Sequence, residues 1–85
     1  MQYKVFALYA SHTGQVYINY TTSLTEELIR LQEEPGDEWI TRGRPWTLIL
    51  LEVFQYESDA YLRKKDLESE AGLNYIRQSV LPLFR

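Results

Sequence analysis

The sequence predicts an α+β fold, in which helices flank a three-stranded antiparallel sheet in the order β-β-α-β-α-α. Three observations support this prediction. Two apolar and aromatic segments near the N-terminus are separated by a short glycine turn, which is typical of a β-hairpin. A third apolar run lies between two segments that begin with helix-capping residues. The chain has 85 residues without a linker or a repeat, so we expect a single domain over residues 1–85.

The hairpin comprises residues 4–9 and 15–20, which are rich in β-branched and aromatic side chains. The turn between them contains Gly14, which can take a positive φ. Because successive side chains of a strand point to opposite faces, we expect Tyr17 and Asn19 to share one face of the sheet.

The first helix follows Ser23, which has the spacing of a capping box with Glu26. Three leucines recur at i, i+4 and i+7 and predict the face of this helix that packs on the core: Leu24, Leu28 and Leu31. The Pro35–Gly36 pair ends the helix, and residues 36–45 are predicted to form a loop.

The third strand is predicted at residues 46–54. Its run from Leu48 to Leu51 is apolar at every position, which indicates burial on both faces and therefore a central place in the sheet. Ser58 and Asp59 cap a second helix that extends to about residue 70, and a short third helix is predicted at residues 73–80.

Charge and composition exclude several classes of protein. The formal net charge is −3, whereas a generic nucleic-acid binder carries a basic surface. The chain has no cysteine, which excludes a disulfide framework and a thiolate metal site. No apolar run approaches the roughly 18 residues of a membrane span, and the first residues do not resemble a signal peptide. We therefore expect no membrane partner and a cytoplasmic location.

The charges are distributed unevenly along the chain. Residues 26–38, which we call the acidic edge, carry six acidic side chains and one arginine. Such a run is most often a solvated helix face, and the alternative is a surface for a basic protein partner. Trp39 follows directly and is either a core residue or an exposed partner anchor. The oligomeric state is not predicted.

Four segments together resemble the GIY-YIG nuclease superfamily, and in particular its small stand-alone bacterial branch. They are Tyr17-Ile18-Asn19-Tyr20-Thr21, Thr41-Arg42-Gly43-Arg44-Pro45-Trp46, the stretch from Ser58 to Leu67, and the stretch from Gly72 to Arg77. The resemblance covers about residues 4–79 and implies the same α+β fold and a bacterial origin. It also implies the family's chemistry, which is metal-dependent cleavage of phosphodiester bonds. In that chemistry a tyrosine and a water act at the phosphate, an arginine stabilises negative charge and a glutamate holds a divalent ion.

Only one of the family's catalytic positions keeps its residue type, namely the second-motif tyrosine, at Tyr17. The other positions carry different residues: Phe6 for the first tyrosine, Asn19 for the glycine, Glu27 for the helix arginine, Leu31 for a histidine and Lys64 for the metal-binding glutamate. Glu27 would repel a phosphate, and a protonated Lys64 has no lone pair to offer a divalent ion. The resemblance therefore implies a degenerate active site with no metal and no cofactor. We expect a binding or interaction module without cleavage, in which Glu27 and Lys64 form an ion pair.

A divergent metal-dependent DNA endonuclease is the alternative. It would use Tyr17 with Arg30, Arg63 and Glu68 and would need Mg²⁺ or Mn²⁺. The interpretation that we favour is that Arg30 and Glu68 are solvated helix charges. A weak nucleic-acid surface is a further hypothesis, formed by Arg42, Arg44, Trp46 and Arg63. Its competing interpretation is a loop that anchors the third strand through the tryptophan.

Overall fold

Strand β1 (Tyr3–Ala10) runs through the centre of a three-stranded antiparallel sheet. It pairs with β2 (Gln15–Thr21) on one side and with β3 (Thr47–Phe54) on the other. The computed structural model describes residues 1–84. The helices within them are α1 (Leu24–Glu33), α2 (Glu38–Arg42), α3 (Glu57–Glu68) and α4 (Glu70–Tyr75), followed by a π-helical turn (Ile76–Val80) and a 3₁₀ turn (Leu81–Phe84). The predicted α+β architecture and the antiparallel sheet are confirmed.

The alternation of side chains along β1 divides the core into two clusters on opposite faces of the sheet. Helix α1 covers one face, and we call this cluster the α1-face core: Phe6, Leu8, Ala10, Leu31, Ile40 and Trp46. Helix α3 and the residues after it cover the other face, and we call this cluster the α3-face core: Val5, Ala7, Ile18, Ile49, Ala60, Leu67, Ile76, Val80 and Leu81. The molecule therefore has three layers, with the sheet in the middle.

The prediction that the third strand is central is wrong. Strand β3 lies at an edge of the sheet, and two of its apolar side chains, Leu51 and Val53, are about half exposed. The central strand is β1, in which Val5 to Leu8 are fully buried. An irregularity in register between β1 and β3 leaves Ile49 as the extra residue opposite the Ala7–Leu8 step, and this residue joins the α3-face core. The apolar run thus reflects an irregular edge strand whose middle is covered by helices.

The hairpin agrees with its prediction. Gly14 has a φ of 74°, and its N–H donates to the carbonyl of Ala10 over 2.8 Å, which closes the turn. Tyr17 packs against the α1-face core, whereas Ile18 belongs to the α3-face core. The expected alternation along β2 is confirmed.

The helices differ from their predictions in capping and in extent. Ser23 precedes α1 as predicted, but its hydroxyl makes no capping hydrogen bond to the helix, so the capping box is not formed. The predicted loop at residues 36–45 contains α2, which begins after Asp37. The prediction that Ser58 and Asp59 cap the second helix is wrong, because α3 begins at Glu57 and both residues lie in its first turn. Helix α3 ends at Glu68, and the hydroxyl of the next residue, Ser69, accepts a 3.1 Å hydrogen bond from the N–H of Gly72 and caps α4. The third helix consequently begins at Glu70.

Side chains hold the segment between α1 and β3 firmly on the end of α1. The guanidinium of Arg44 donates to the carbonyls of Leu31 (2.8 Å) and Glu34, which lack partners at the end of the helix. The side-chain amide of Gln32 bonds both backbone groups of Trp46: its oxygen accepts from the N–H (2.8 Å), and its nitrogen donates to the carbonyl (2.7 Å). Gln32 therefore acts as a short strand partner for the start of β3.

Replacing Gln32 with alanine should lower the free energy of unfolding by about 2 kcal/mol, because it leaves the backbone N–H of Trp46 without a partner. Urea denaturation measures this change. Gln78→Ala is the matched control, since Gln78 is exposed and we expect a change within about 0.5 kcal/mol. Equal losses in the two variants would contradict the role of Gln32.

Candidate functional site

The candidate site is a partly exposed aromatic surface on the α1 side of the sheet. Tyr17 lies at its centre, with its ring centroid 6.1 Å from Phe6, 5.7 Å from Trp39 and 6.3 Å from Trp46. The Trp39 and Trp46 rings meet edge to face at 90°. Phe6 and Trp46 (4% exposed) are buried, whereas Trp39 is 40% exposed at the rim. The buried pair thus holds the two outer rings in place.

Asn19 orients the hydroxyl group of Tyr17. Its side-chain nitrogen donates to the Tyr17 hydroxyl over 3.2 Å, and its side-chain oxygen accepts from the N–H of Tyr20 over 2.8 Å. Both ends of the amide are therefore engaged, which fixes the Asn19 side chain on the edge strand. The Tyr17 oxygen is held as an acceptor, which leaves its proton free to donate.

An ion pair on α1 lies beside Tyr17. The guanidinium of Arg30 bonds the carboxylate of Glu27 one turn earlier in the helix. The hydrogen bond and the charge of Glu27 raise the pKa of Arg30, and the nearby Tyr17 hydroxyl adds to this shift. The positive charge of Arg30, near Tyr17, is therefore largely neutralised by a carboxylate. We call Tyr17, Asn19, Glu27, Arg30 and Trp39 the Tyr17 surface.

The predicted ion pair between Glu27 and Lys64 is wrong. Lys64 bonds Glu68 over 3.1 Å within α3, while Glu27 is paired with Arg30 within α1. The two helices pack on opposite faces of the sheet, so each charge finds a partner one turn away in its own helix.

Leu31 and Phe6, two further residues that the resemblance singled out, are fully buried in the α1-face core. Leu31 belongs to the helix stripe that the leucine spacing predicted. Neither side chain offers a polar group, so both positions contribute packing to the site.

The residues proposed for a divergent nuclease site are brought together only in part. Arg30 lies near Tyr17, where it pairs with Glu27, but Glu68 is paired with Lys64 on the other side of the sheet. The guanidinium of Arg63 contacts both carboxylate oxygens of Glu52 (2.7 and 3.1 Å) and one oxygen of Asp66 (2.6 Å). These hydrogen bonds, first those to Glu52, raise the pKa of Arg63 against the opposing effect of burial.

The residues of the predicted nucleic-acid surface have structural partners. Arg44 binds carbonyls at the end of α1, and Arg42 pairs with Glu38. The indole N–H of Trp46 donates to the carbonyl of Ile40 over 2.9 Å, and its buried ring presents no face on which a base could stack. The exposed tryptophan is Trp39, whose role the sequence left open.

The pattern Asp37-Glu38-Trp39-Ile40 is consistent with the start of a short helix, but the contact of Trp39 with Tyr17 on β2 depends on tertiary packing that the pattern does not encode. Within residues 1–84 no three His, Cys, Asp or Glu side chains converge as they would around a metal ion. None of the helices in this part of the chain is long and apolar enough to cross a membrane.

No protein-family model, curated protein or solved structure matches the chain.

Proposed function

We propose that the chain is a GIY-YIG-type domain of a bacterial cytoplasm that has lost endonuclease activity and acts as a binding or interaction module. One observation carries this proposal: the group that neutralises Arg30 beside the Tyr17 hydroxyl is a carboxylate of the protein itself. A nuclease that used Tyr17 and Arg30 would need this guanidinium free for the developing charge on a phosphate. In this structure the carboxylate of Glu27 already pairs with the guanidinium of Arg30.

The size of this effect follows from simple electrostatics. Two unit charges at about 4 Å interact by roughly 1 kcal/mol in water and about 4 kcal/mol at an effective dielectric constant of 20. A phosphate that approached Tyr17 would therefore meet repulsion from Glu27 and compete with it for Arg30. Both effects oppose binding of the substrate and stabilisation of the transition state.

The proposed partner is a basic protein that contacts the acidic edge. Two of its six carboxylates are paired, Glu27 with Arg30 and Glu38 with Arg42, and within residues 1–84 the other four make no ion pair. Trp39 lies next to this edge and exposes an aromatic face, which is the type of side chain that anchors protein interfaces. Nucleic acid is disfavoured by the same carboxylates.

The alternative is a divergent metal-dependent DNA endonuclease, and the nearness of Arg30 to Tyr17 is the observation that favours it. In that function a divalent ion would have to be recruited together with the substrate, and Glu27 would have to release Arg30. The two functions predict opposite results with DNA.

Incubation with supercoiled plasmid and Mg²⁺ or Mn²⁺ separates the two functions. We expect neither nicked product nor a slower-migrating complex, because the Tyr17 surface repels phosphate. The control is Tyr17→Phe, which removes only the hydroxyl and should behave as the parent does. Cleavage by the parent that disappears in Tyr17→Phe would establish the endonuclease and overturn our proposal.

A further inference from the structure

A cleft of about 410 Å³ lies at the corner between α3 and α4, away from the Tyr17 surface. Its lining residues are Arg63, Asp66, Leu67, Ala71, Gly72 and Tyr75. Helix α3 contributes the first three residues and α4 the others. Because α3 packs on the sheet face opposite α1, this cleft is separate from the site described above.

The base of the cleft consists of buried residues. Leu67 is fully buried in the α3-face core, and Gly72 is buried where α4 meets the backbone of α3. Tyr75 forms a wall and is 44% exposed, so part of its ring is available to a ligand. The exposed side chain of Ala71 and the ring of Tyr75 form an apolar surface that suits an alkyl stem ending in a polar group.

The charge of Arg63, the one cationic lining residue of the cleft, is already compensated from outside the lining. Glu52 on β3, which does not line the cleft, binds this guanidinium, and so does the lining residue Asp66. Two carboxylates against one guanidinium leave one net negative charge. Asp66 engages Arg63 through Oδ2 alone, its side chain is 61% exposed, and within residues 1–84 its Oδ1 accepts no hydrogen bond. The polar atom at the rim that has no hydrogen-bond partner is therefore a carboxylate oxygen, Oδ1 of Asp66, which can accept a hydrogen bond from a cation.

We propose that this cleft binds an organic cation on an apolar stem, the chemistry shared by a lysine side chain and a free alkylamine. The ammonium group bonds Oδ1 of Asp66 and lies against the ring of Tyr75, and the stem lies along the exposed side chain of Ala71. An anion is disfavoured, because three N–H groups of Arg63 are already engaged by carboxylates. The proposal does not depend on whether the Tyr17 surface cleaves DNA.

Titration of the ¹⁵N-labelled chain, followed by NMR, tests this assignment with two probes: an N-acetylated, C-amidated lysine and 1,5-diaminopentane. We expect millimolar binding of at least one probe, with the largest amide shifts at Ala71, Gly72 and Tyr75. Tighter binding of the capped lysine supports a protein side chain as the source, and tighter binding of the diamine supports a free amine. Capped norleucine, which lacks the charge, should not bind.

Two pairs of variants distinguish specific binding of the amine from effects of overall charge and of unfolding. Asp66→Asn should weaken binding about fivefold, whereas Glu33→Gln, with the same charge change on α1, should leave it unchanged. Tyr75→Leu should weaken binding about two- to fivefold and Tyr75→Phe should not, because phenylalanine keeps the aromatic ring. Thermal unfolding confirms that each variant is folded. Equal binding by Asp66→Asn and the parent, no shifts with either amine, or the same shifts with acetate would overturn the proposal.

Discussion

Replacing Gly72 with alanine should lower the free energy of unfolding by about 3 kcal/mol, the upper end of the cost of inserting one carbon into a packed site. A Cβ at this position would lie 2.1 Å from the carbonyl oxygen of Asp66 and 2.5 Å from the Cα of Leu67. Both are backbone atoms, so no side-chain rotation can relieve the contact. Helix α4 would have to move away from the end of α3.

Urea denaturation of Gly72→Ala and Gly36→Ala provides the measurement and its control. A Cβ at Gly36 would meet no atom within 4 Å, and its φ is not positive. Glycine to alanine at such a position stabilises proteins by about 0.4–1 kcal/mol through the unfolded chain. We therefore expect the two substitutions to shift the midpoint in opposite directions. A shift of the same sign and size would show that α4 does not need its close approach to α3.

The same close approach shapes the cleft, since Gly72 and Tyr75 lie on α4 and Asp66 on α3. A movement of α4 away from α3 would widen the gap between the Tyr75 ring and the Asp66 carboxylate. Stability and the proposed amine site are thus linked through one glycine.

Local patterns predicted the parts of the fold that depend on neighbours in sequence. The turn at Gly14, the alternation that places Tyr17 and Asn19 on one face, and the leucine stripe of α1 all follow from one strand or one helix. The position of β3 could not be predicted in this way. An apolar run such as Leu48–Leu51 is compatible both with a central strand and with an irregular edge strand. The two positions differ only in whether a further strand pairs with β3 on the side away from β1, which the run itself does not show.

In the candidate site, too, the contacts within one helix could be predicted and those between helices could not. The pairing of Arg30 with Glu27 needs only the spacing of one helical turn, whereas a pair between Glu27 and Lys64 requires α1 and α3 to pack on the same face of the sheet. Helix periodicity says which residues of a helix face the core, but it does not say which face of the sheet receives them. The cross-helix pair was therefore the part of the prediction that failed.

The buried ring of Phe6 packs against Tyr17 and supports the Tyr17 surface from below. Phe6→Ala should lower the free energy of unfolding by about 4 kcal/mol. Its ring is fully buried in the α1-face core beneath Tyr17, on the central strand. A domain of this size has a total stability of about 5–15 kcal/mol, so the variant would be close to unfolding. The matched control is Phe84→Ala, because Phe84 is about half exposed and its loss should cost less than about 1 kcal/mol.

The aromatic cluster supplies a second measurement of the same change. Tyr17 touches Phe6, Trp39 and Trp46, so a cavity under its ring should alter the near-ultraviolet circular dichroism even under conditions where Phe6→Ala remains folded. Phe84→Ala should leave that spectrum unchanged. A Phe6→Ala protein with the parent's spectrum and stability would mean that Tyr17 is positioned by Asn19 and the tryptophans alone. Phe6 would then contribute neither a hydroxyl nor support to the surface.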